Sequence, residues 1–242
     1  MSEARFILVH GAWGSSASWG GLPALLRAQG HSVRALDLPG HGEDRTPPET
    51  VTLADYARHV AGVLRAGPPA VLVGHSMGGM VISAAAETAP EHLERLVYLA
   101  AFLPKSGDSL MSLKQREGPT IAAAVRPGPV RGTTVLDPDT AAGFLFQDAT
   151  PEQRASALSR LGPQPNAPQV ERINLSANRF GQVPRHYILC ENDQTVTPEL
   201  QRAMATETPC ETLHSLPTGH LPQLTAPQAL ADLLNRIVSE AK

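Results

Sequence analysis

The 242-residue sequence has few of the residues that would indicate a disulfide framework, a metal site or a nucleic-acid partner. Two cysteines, Cys190 and Cys210, are too few for a disulfide framework, and they do not form a Cys-x-x-Cys pair. None of the nine histidines has metal-ligand spacing such as His-Glu-x-x-His, so we expect no metal. The formal net charge is only -3 and there is no basic run, which argues against nucleic acid as a partner.

The sequence also lacks a long apolar segment near its start. Residues 1–14, MSEARFILVHGAWG, contain no basic region followed by a long apolar core, and their apolar run is too short to span a membrane. We therefore expect a cytoplasmic protein that has no membrane partner. With 42% hydrophobic and 18% charged residues, the composition is typical of one soluble globular domain with room for an insertion.

Short apolar runs alternate with segments of helical periodicity. The six strand-like runs are residues 5–10, 32–38, 70–75, 95–102, 186–190 and 211–216. Their almost continuously apolar centres are typical of parallel strands that are buried on both faces. Apolar residues recur at helical spacing in residues 53–65 and in the closing segment 226–242. The alternation predicts an α/β fold with about six mainly parallel strands and helices on both faces.

Residues 104–184 interrupt this alternation. They are rich in proline and glycine, and they contain a predicted short helix over 151–161 and no clear strand. Because Phe144 and Phe146 make the segment too apolar for a linker, we predict a cap that is inserted before the penultimate strand. The predicted domains are therefore a core of residues 1–103 and 185–242 and a cap of residues 104–184. Exposed apolar residues on the cap leave a homodimer as an open possibility.

Ser76 lies at the centre of a Gly-x-Ser-x-Gly motif, directly after the third strand-like run. A segment rich in small residues, GGMVISAAAETA, follows the motif and is predicted to be a helix. Glycines two positions before and two after the serine allow a sharp turn. This turn would hold the hydroxyl at the carboxyl edge of the sheet, beside the positive end of the helix. An ordinary turn serine is the alternative, but the strand and helix around the motif favour a nucleophile.

A serine nucleophile needs a base, and the base needs a carboxylate that orients it. In folds of this kind the chain order is serine, acid and histidine. Asp193 follows the penultimate strand and His220 follows the last one, so both are predicted at the same sheet edge as Ser76. His220 is favoured as the base over His214, which lies within the last strand.

Other carboxylates compete with Asp193 for the role of the acid. Asp193 is favoured over Glu191 because its short side chain lies further into the loop. The aspartates of the cap are interpreted as solvated loop charges: Asp137, Asp139 and Asp148.

The first strand is followed by His10-Gly11-Ala12-Trp13-Gly14, again at the carboxyl edge of the sheet. Small residues at this position let backbone amides face the site. We therefore expect the N–H groups of Ala12 and Met77 to form an oxyanion hole. The alternative is a simple glycine turn in which His10 is structural. His75 is expected either to pack behind the serine or to line the pocket.

Together, the stretches FILVHGAW, LDLPGHG, VGHSMGG, FLP, ENDQ and GHLPQL resemble the α/β-hydrolase superfamily. More narrowly, they resemble its small branch of plant methylesterases, hydroxynitrile lyases and bacterial EstC-like esterases. The resemblance runs nearly end to end. It implies an α/β-hydrolase fold, a catalytic triad of Ser76, Asp193 and His220, and an oxyanion hole formed by the amides of Ala12 and Met77.

Two residues depart from the lyase members of this branch. Hydroxynitrile lyases carry a threonine after the first-strand histidine and a lysine after the catalytic histidine, where this chain has Gly11 and Leu221. Leu221 supplies no cation for a leaving cyanide, so we predict ester hydrolysis rather than cyanohydrin cleavage. Lactonase and thioesterase activities use the same triad and remain alternatives. A binding protein on a hydrolase scaffold is disfavoured, because a receptor does not need all three groups.

The expected partner is a small-molecule ester with a small aromatic or medium-chain acyl or alkyl group, and no cofactor is required. The pocket is predicted to be apolar and to lie between sheet and cap. Its candidate lining residues are Gly11, His75, Met80, Phe102, Leu103, Phe144, Phe146 and Leu221.

Overall fold

A computed structural model describes residues 3–239, so the ends of the predicted core domain, residues 1–2 and 240–242, lie outside the described residues. The described residues contain nine strands. They are β1 (Arg5–Val9), β2 (Ser32–Leu36), β3 (Ala70–His75), β4 (Leu93–Leu99), β5 (Val125–Pro127), β6 (Thr133–Leu136), β7 (Gln164–Pro165), β8 (Arg185–Cys190) and β9 (Thr212–Leu216). Six of them form one sheet in the order β2-β1-β3-β4-β8-β9, and all neighbours are parallel.

Ten α-helices accompany the strands in the described residues. They are α1 (Leu22–Ala28), α2 (Leu53–Arg65), α3 (Gly78–Thr88), α4 (Leu110–Lys114), α5 (Pro138–Leu145), α6 (Pro151–Leu158), α7 (Ala167–Val170), α8 (Pro198–Glu207), α9 (Pro222–Thr225) and α10 (Pro227–Ser239). Short 3-10 helices span Ser16–Trp19, Pro48–Thr50, Pro90–His92, Ile121–Ala124 and Phe180–Gln182. No helix among residues 3–239 is long and apolar enough to cross a membrane.

The central strands of the sheet are buried on both faces, and their alternate residues point to opposite sides. On one side, Ile7 and Leu72 pack with helices α2 and α3. On the other side, Phe6 and Val73 pack with α1 and α10. Each buried side chain of this size contributes roughly 1.5–3 kcal/mol relative to an exposed one. The continuous apolar runs therefore have partners on both faces, and the predicted α/β class is confirmed.

The region from residue 104 to 184 differs from the sequence prediction in one respect. It contains β5, β6 and β7, which form a separate antiparallel sheet, although no strand was expected there. These strands are only two to four residues long and include Pro127 and Pro165, so they show no readable alternation. The expected helix over 151–161 corresponds to α6. Ile173 and Phe180 already belong to the core cluster around α3, so the chain returns to the core before residue 185.

Candidate active site

Ser76 occupies a strained bend between β3 and α3. Its φ is 55°, in the left-handed region that costs a non-glycine residue roughly 1–2 kcal/mol. Two hydrogen bonds hold this conformation: Ser76 N–H donates to Leu99 O at 3.2 Å, and Phe102 N–H donates to Ser76 O at 3.1 Å. The end of β4 and the loop after it therefore hold both the N–H and the carbonyl group of Ser76.

The glycines around Ser76 are required by close contacts with neighbouring backbone. A Cβ at Gly74 would lie 2.6 Å from Gly78 O, and one at Gly78 would lie 2.6 Å from Val9 O. A Cβ at Gly79 would overlap the main-chain oxygen of Phe102. The motif thus allows α3 to start directly against β1 and the loop after β4, which is the context that the sequence predicted for a nucleophile.

Asp193 and His220 form a buried pair on the loops that follow β8 and β9. His220 Nδ1 lies 2.7 Å from Asp193 Oδ2, and the two residues are 1% and 3% exposed, respectively. The other carboxylate oxygen, Oδ1, accepts the N–H groups of Thr195 at 2.7 Å and Val196 at 3.0 Å. Because the carboxylate accepts hydrogen bonds, Nδ1 of His220 carries the proton. Its Nε2 is then free to take a proton from a hydroxyl.

Ser76 and His220 both line one cavity of about 600 Å³, between the carboxyl edge of the sheet and residues 110–170. Most of the side chains in its wall are apolar. Among them are Trp13, Phe102, Leu110, Ile121, Leu145, Phe146, Leu161 and Leu224. A volume of this size is in the range of pockets that enclose a small organic molecule.

The predicted lining residues divide into two groups. Five of them line the cavity: Gly11, His75, Phe102, Phe146 and Leu221. The other three lie elsewhere: Met80 and Leu103 are buried in the main core cluster, and Phe144 packs against a cluster inside the cap. The sequence could not separate the groups, because the direction of an apolar side chain depends on the tertiary arrangement of its element.

Ala12 and Met77 also line the cavity, and neither of their amides has a hydrogen-bond acceptor within residues 3–239. The carbonyl of Gly11 belongs to the same peptide group as Ala12 N–H and points in the opposite direction. It accepts hydrogen bonds from His10 Nδ1 at 2.8 Å and from Gly14 N–H at 3.3 Å. This arrangement holds the Ala12 N–H in one direction. Two free amides beside a serine are the donors that an oxyanion hole needs.

Three other histidines of this region, His10, His41 and His75, are buried and are not members of the predicted triad. His10 Nε2 accepts Leu38 N–H at 3.2 Å, which leaves the proton on Nδ1. Burial lowers the pKa of His10 to about 4 and that of His41 to about 3. His75 donates from Nε2 to the main-chain oxygen of His220 at 2.8 Å, and its pKa is lowered well below the usual value by burial and by His220. His75 therefore packs behind His220 as well as lining the cavity.

Several polar residues that support the site were not found by sequence reasoning. Gln201, on α8, is fully buried and donates to Asp193 Oδ2 at 3.0 Å. Lys114 reaches the cavity wall, where it pairs with Glu117 at 2.6 Å and donates to Thr195 O at 2.6 Å. Neither residue belongs to a recognisable motif, since their partners are brought together only by the fold.

The cap aspartates that were interpreted as solvated loop charges are exposed at Asp139 and Asp148 and half-buried at Asp137, and two of them also accept hydrogen bonds from backbone amides. Asp148 accepts the Gly219 N–H at 2.6 Å, directly before His220 in the chain. Asp137 caps helix α5 by accepting the Thr140 N–H at 3.0 Å. Asp139 lies in the first turn of that helix with an exposed side chain.

Comparison with known proteins identifies the family. The family model of the alpha/beta hydrolase family matches residues 6–233. Methylesterase 7 from Arabidopsis thaliana is 30% identical over 99% of this chain and 98% of its own length. Salicylic acid-binding protein 2 from Nicotiana tabacum is 35% identical over 84% of each chain.

Solved structures agree with the sequence relatives. Polyneuridine aldehyde esterase has a TM-score of 0.88 at 26% identity, covering 98% of this chain and 100% of its own. A pyrethroid hydrolase from Sphingobium faniae JZ-2 has a TM-score of 0.88 at 28% identity, covering 99% of each chain. The expected α/β-hydrolase fold is therefore confirmed, and the chain belongs to the alpha/beta hydrolase family, in the branch of the small methylesterases.

Proposed function

We propose that this carboxylic ester hydrolase uses Ser76 as its nucleophile, His220 as its general base and Asp193 as the group that orients His220. The observation that carries the proposal is the 2.7 Å contact between His220 Nδ1 and Asp193 Oδ2, beside a cavity that His220 shares with Ser76. In the neutral imidazole this contact places the proton on Nδ1, so Nε2 carries the lone pair that a general base needs. The fixed bend at Ser76 supports the same role, because such a bend exposes a serine hydroxyl at the sheet edge.

The proposed reaction has two halves. His220 Nε2 takes the hydroxyl proton as Ser76 Oγ attacks the ester carbonyl carbon, and the resulting oxyanion accepts hydrogen bonds from the Ala12 and Met77 amides. The intermediate collapses, the carbon–oxygen bond to the alcohol breaks, and His220 returns its proton to the leaving alkoxide. Water then attacks the acyl-enzyme with His220 again as the base, and this step releases the acid and restores Ser76.

The cavity favours a neutral ester with apolar groups. Its wall is mainly apolar, and the Lys114 ammonium is already paired with Glu117. A carboxylate on the substrate would therefore lose its hydration against this wall, and the other lysine or arginine of the lining, Arg160, has an exposed side chain. We propose substrates with small aromatic or medium-chain acyl or alkyl groups, which about 600 Å³ accommodates.

The direct test compares p-nitrophenyl butyrate hydrolysis by the wild type, Ser76→Ala and Ser159→Ala. Ser159 is an exposed serine just after α6 and does not line the cavity, so its variant controls for loss of a hydroxyl. We expect Ser76→Ala to lose kcat by roughly 10³-fold or more, since removing a nucleophile of this type leaves only residual catalysis. Equal rates in Ser76→Ala and the wild type would contradict the proposal.

The site gives less support to a hydroxynitrile lyase. Leu221, which follows His220, lines the cavity with an apolar side chain and offers no charge to a leaving cyanide. A Cβ at Gly11 would lie 2.9 Å from Ser76 Cβ, so the backbone leaves little room there for a threonine. Mandelonitrile should release no cyanide above the background rate. A panel of aryl, alkyl, lactone and thioester substrates then separates ester hydrolysis from the activities that use the same triad.

A further inference from the structure

Two neighbouring side chains of the cap contact both loops that carry the acid–base pair. Gln147 Nε2 donates to the main-chain oxygen of Asn192 at 2.8 Å, and Asp148 Oδ2 accepts the Gly219 N–H at 2.6 Å. Asn192 directly precedes Asp193, and Gly219 directly precedes His220. One dipeptide after α5 therefore holds the backbone immediately before each partner of the pair.

We propose that Gln147 and Asp148 are positioning residues that set the alignment of His220 and Asp193, so that the cap takes part in assembling the catalytic pair. The proposal rests on the proposed function of Ser76, Asp193 and His220. Neither Gln147 nor Asp148 lines the cavity, so they act through the loops rather than on the substrate.

Gly219 lies very close to the side chains of Gln147 and Asp148. A Cβ at Gly219 would lie 2.6 Å from Asp148 Oδ1 and would overlap Gln147 Nε2. A side chain at position 219 would therefore displace the ends of these two cap side chains from the loop. The φ of Gly219 is not in the left-handed region, so a substitution there acts through these contacts and not through backbone conformation.

Further hydrogen bonds connect the two loops with each other and Asp148 with α9. Asn192 N–H donates to Thr218 O at 3.0 Å, which ties the two loops to each other. The Thr225 hydroxyl donates to Asp148 Oδ2 at 3.2 Å, which ties α9 to the same carboxylate. A shift of Asp148 would therefore be passed to the segments on both sides of His220, where a displacement near 1 Å reduces catalysis by about 10²-fold.

The interaction of Asp148 is with backbone and hydroxyl donors rather than with a cation. Among residues 3–239, no lysine, arginine or histidine forms an ion pair with it. A hydrogen bond from an amide to a carboxylate is roughly twice as strong as one between neutral groups. An asparagine keeps an acceptor oxygen for Gly219 N–H but loses the charge, whereas an alanine loses both. The two substitutions therefore separate the contribution of the negative charge from that of the hydrogen-bonding side chain.

The experiment compares Asp148→Ala and Asp148→Asn with the control Asp139→Ala, which removes an exposed carboxylate from the same cap. With p-nitrophenyl butyrate, we expect Asp148→Ala to lower kcat by about 10- to 100-fold while KM stays within about two-fold, because alignment and not binding is lost. Asp148→Asn should recover most of the loss, and Asp139→Ala should behave as the wild type. The rates are referred to the number of active sites, titrated with an organophosphate that labels the nucleophile.

A spectroscopic readout follows the pair itself. The proton between His220 Nδ1 and Asp193 should give a low-field NMR signal in the wild type, and we expect this signal to broaden or disappear in Asp148→Ala. A wild-type kcat in Asp148→Ala would overturn the proposal. So would a loss of activity that is fully accounted for by fewer titratable sites, since that result indicates a folding role only.

The outcome also distinguishes this proposal from the one on which it rests. If Ser76→Ala is inactive while Asp148→Ala matches the wild type, only the positioning role fails. If Ser76→Ala keeps wild-type activity, the proposed triad fails first. A double variant of Gly219→Ala and Asp148→Ala should lose no more activity than the more impaired single variant, because both changes break the same contact. Additive losses would overturn the link between the two residues.

Discussion

Replacing Gln201 by methionine removes the buried amide that supports Asp193 while keeping a side chain of similar length. The amide makes three contacts: Nε2 donates to Asp193 Oδ2 at 3.0 Å and to Val196 O at 2.7 Å, and Oε1 accepts Cys190 N–H at 3.2 Å. Methionine leaves the Cys190 and Val196 backbone groups without this partner, and each such buried group costs roughly 1–3 kcal/mol. We therefore expect Gln201→Met to lower the free energy of unfolding by about 2–6 kcal/mol, out of the 5–15 kcal/mol typical of a domain.

Urea unfolding followed by tryptophan fluorescence measures this loss. The matched control is Gln228→Met, since Gln228 is an exposed glutamine on α10 whose amide, among the partners in residues 3–239, bonds only to Asp232 in the next turn. The control should change stability by less than about 0.5 kcal/mol. A Gln201→Met variant that is as stable as the control would refute the idea that the amide is needed by its buried partners.

The charged variant Gln201→Glu adds a test of activity. It puts a carboxyl group where Nε2 donates to Asp193, so it can donate only when protonated. We expect kcat, measured per titrated active site, to be reduced more at alkaline than at acid pH relative to the wild type. The same reduction at all pH values would contradict this account of the Asp193 surroundings.

Three further predictions follow from the packing. The free energy of unfolding should fall as the pH is lowered from 6.5 to about 4, because His10 takes up a proton in the unfolded chain before it does so in the buried site. The fall is up to about 1.4 kcal/mol per pH unit for each such histidine. Urea unfolding that is insensitive to pH over that range would contradict this prediction. Gly79→Ala should lower the free energy of unfolding by more than about 2 kcal/mol and abolish esterase activity. Gly143 is exposed in α5 and has no atom within 4 Å of an added Cβ, so Gly143→Ala should stabilise the protein slightly. Gln164→Leu removes the acceptor of Trp13 N–H at 3.1 Å beside the proposed oxyanion hole, so it should reduce kcat by about 10-fold with little change in KM, and an unchanged kcat would contradict it.

The sheet was predictable from sequence because its strands have to be apolar on both faces. Runs such as 70–75 read as strands, and the structure places β3 on the same residues. The positions of Asp193 and His220 at one sheet edge also followed, since parallel strands bring the residues after their carboxyl ends together. Strand direction and chain order were sufficient for both inferences.

The small sheet of the cap and the supporting polar residues were not predictable in the same way. A strand such as β7, with two residues, carries no periodicity. Gln201 and Asp148 hydrogen-bond to groups that are distant in sequence or belong to the backbone. Every residue type has these backbone groups, so the sequence does not show which of them a side chain will contact. The side chains of Met80 and Leu103 are as apolar as those of the cavity wall, so only the fold could place them in the core.

Trapping the acyl-enzyme tests the central proposal most directly. The enzyme is mixed with p-nitrophenyl butyrate, quenched in acid on the millisecond scale and digested, and the peptides are mapped by mass spectrometry. The proposed mechanism predicts a butyryl group on Ser76 in the wild type and none at that position in Ser76→Ala. A butyryl group on another residue that forms and decays at the rate of turnover, or full turnover by Ser76→Ala, would contradict it.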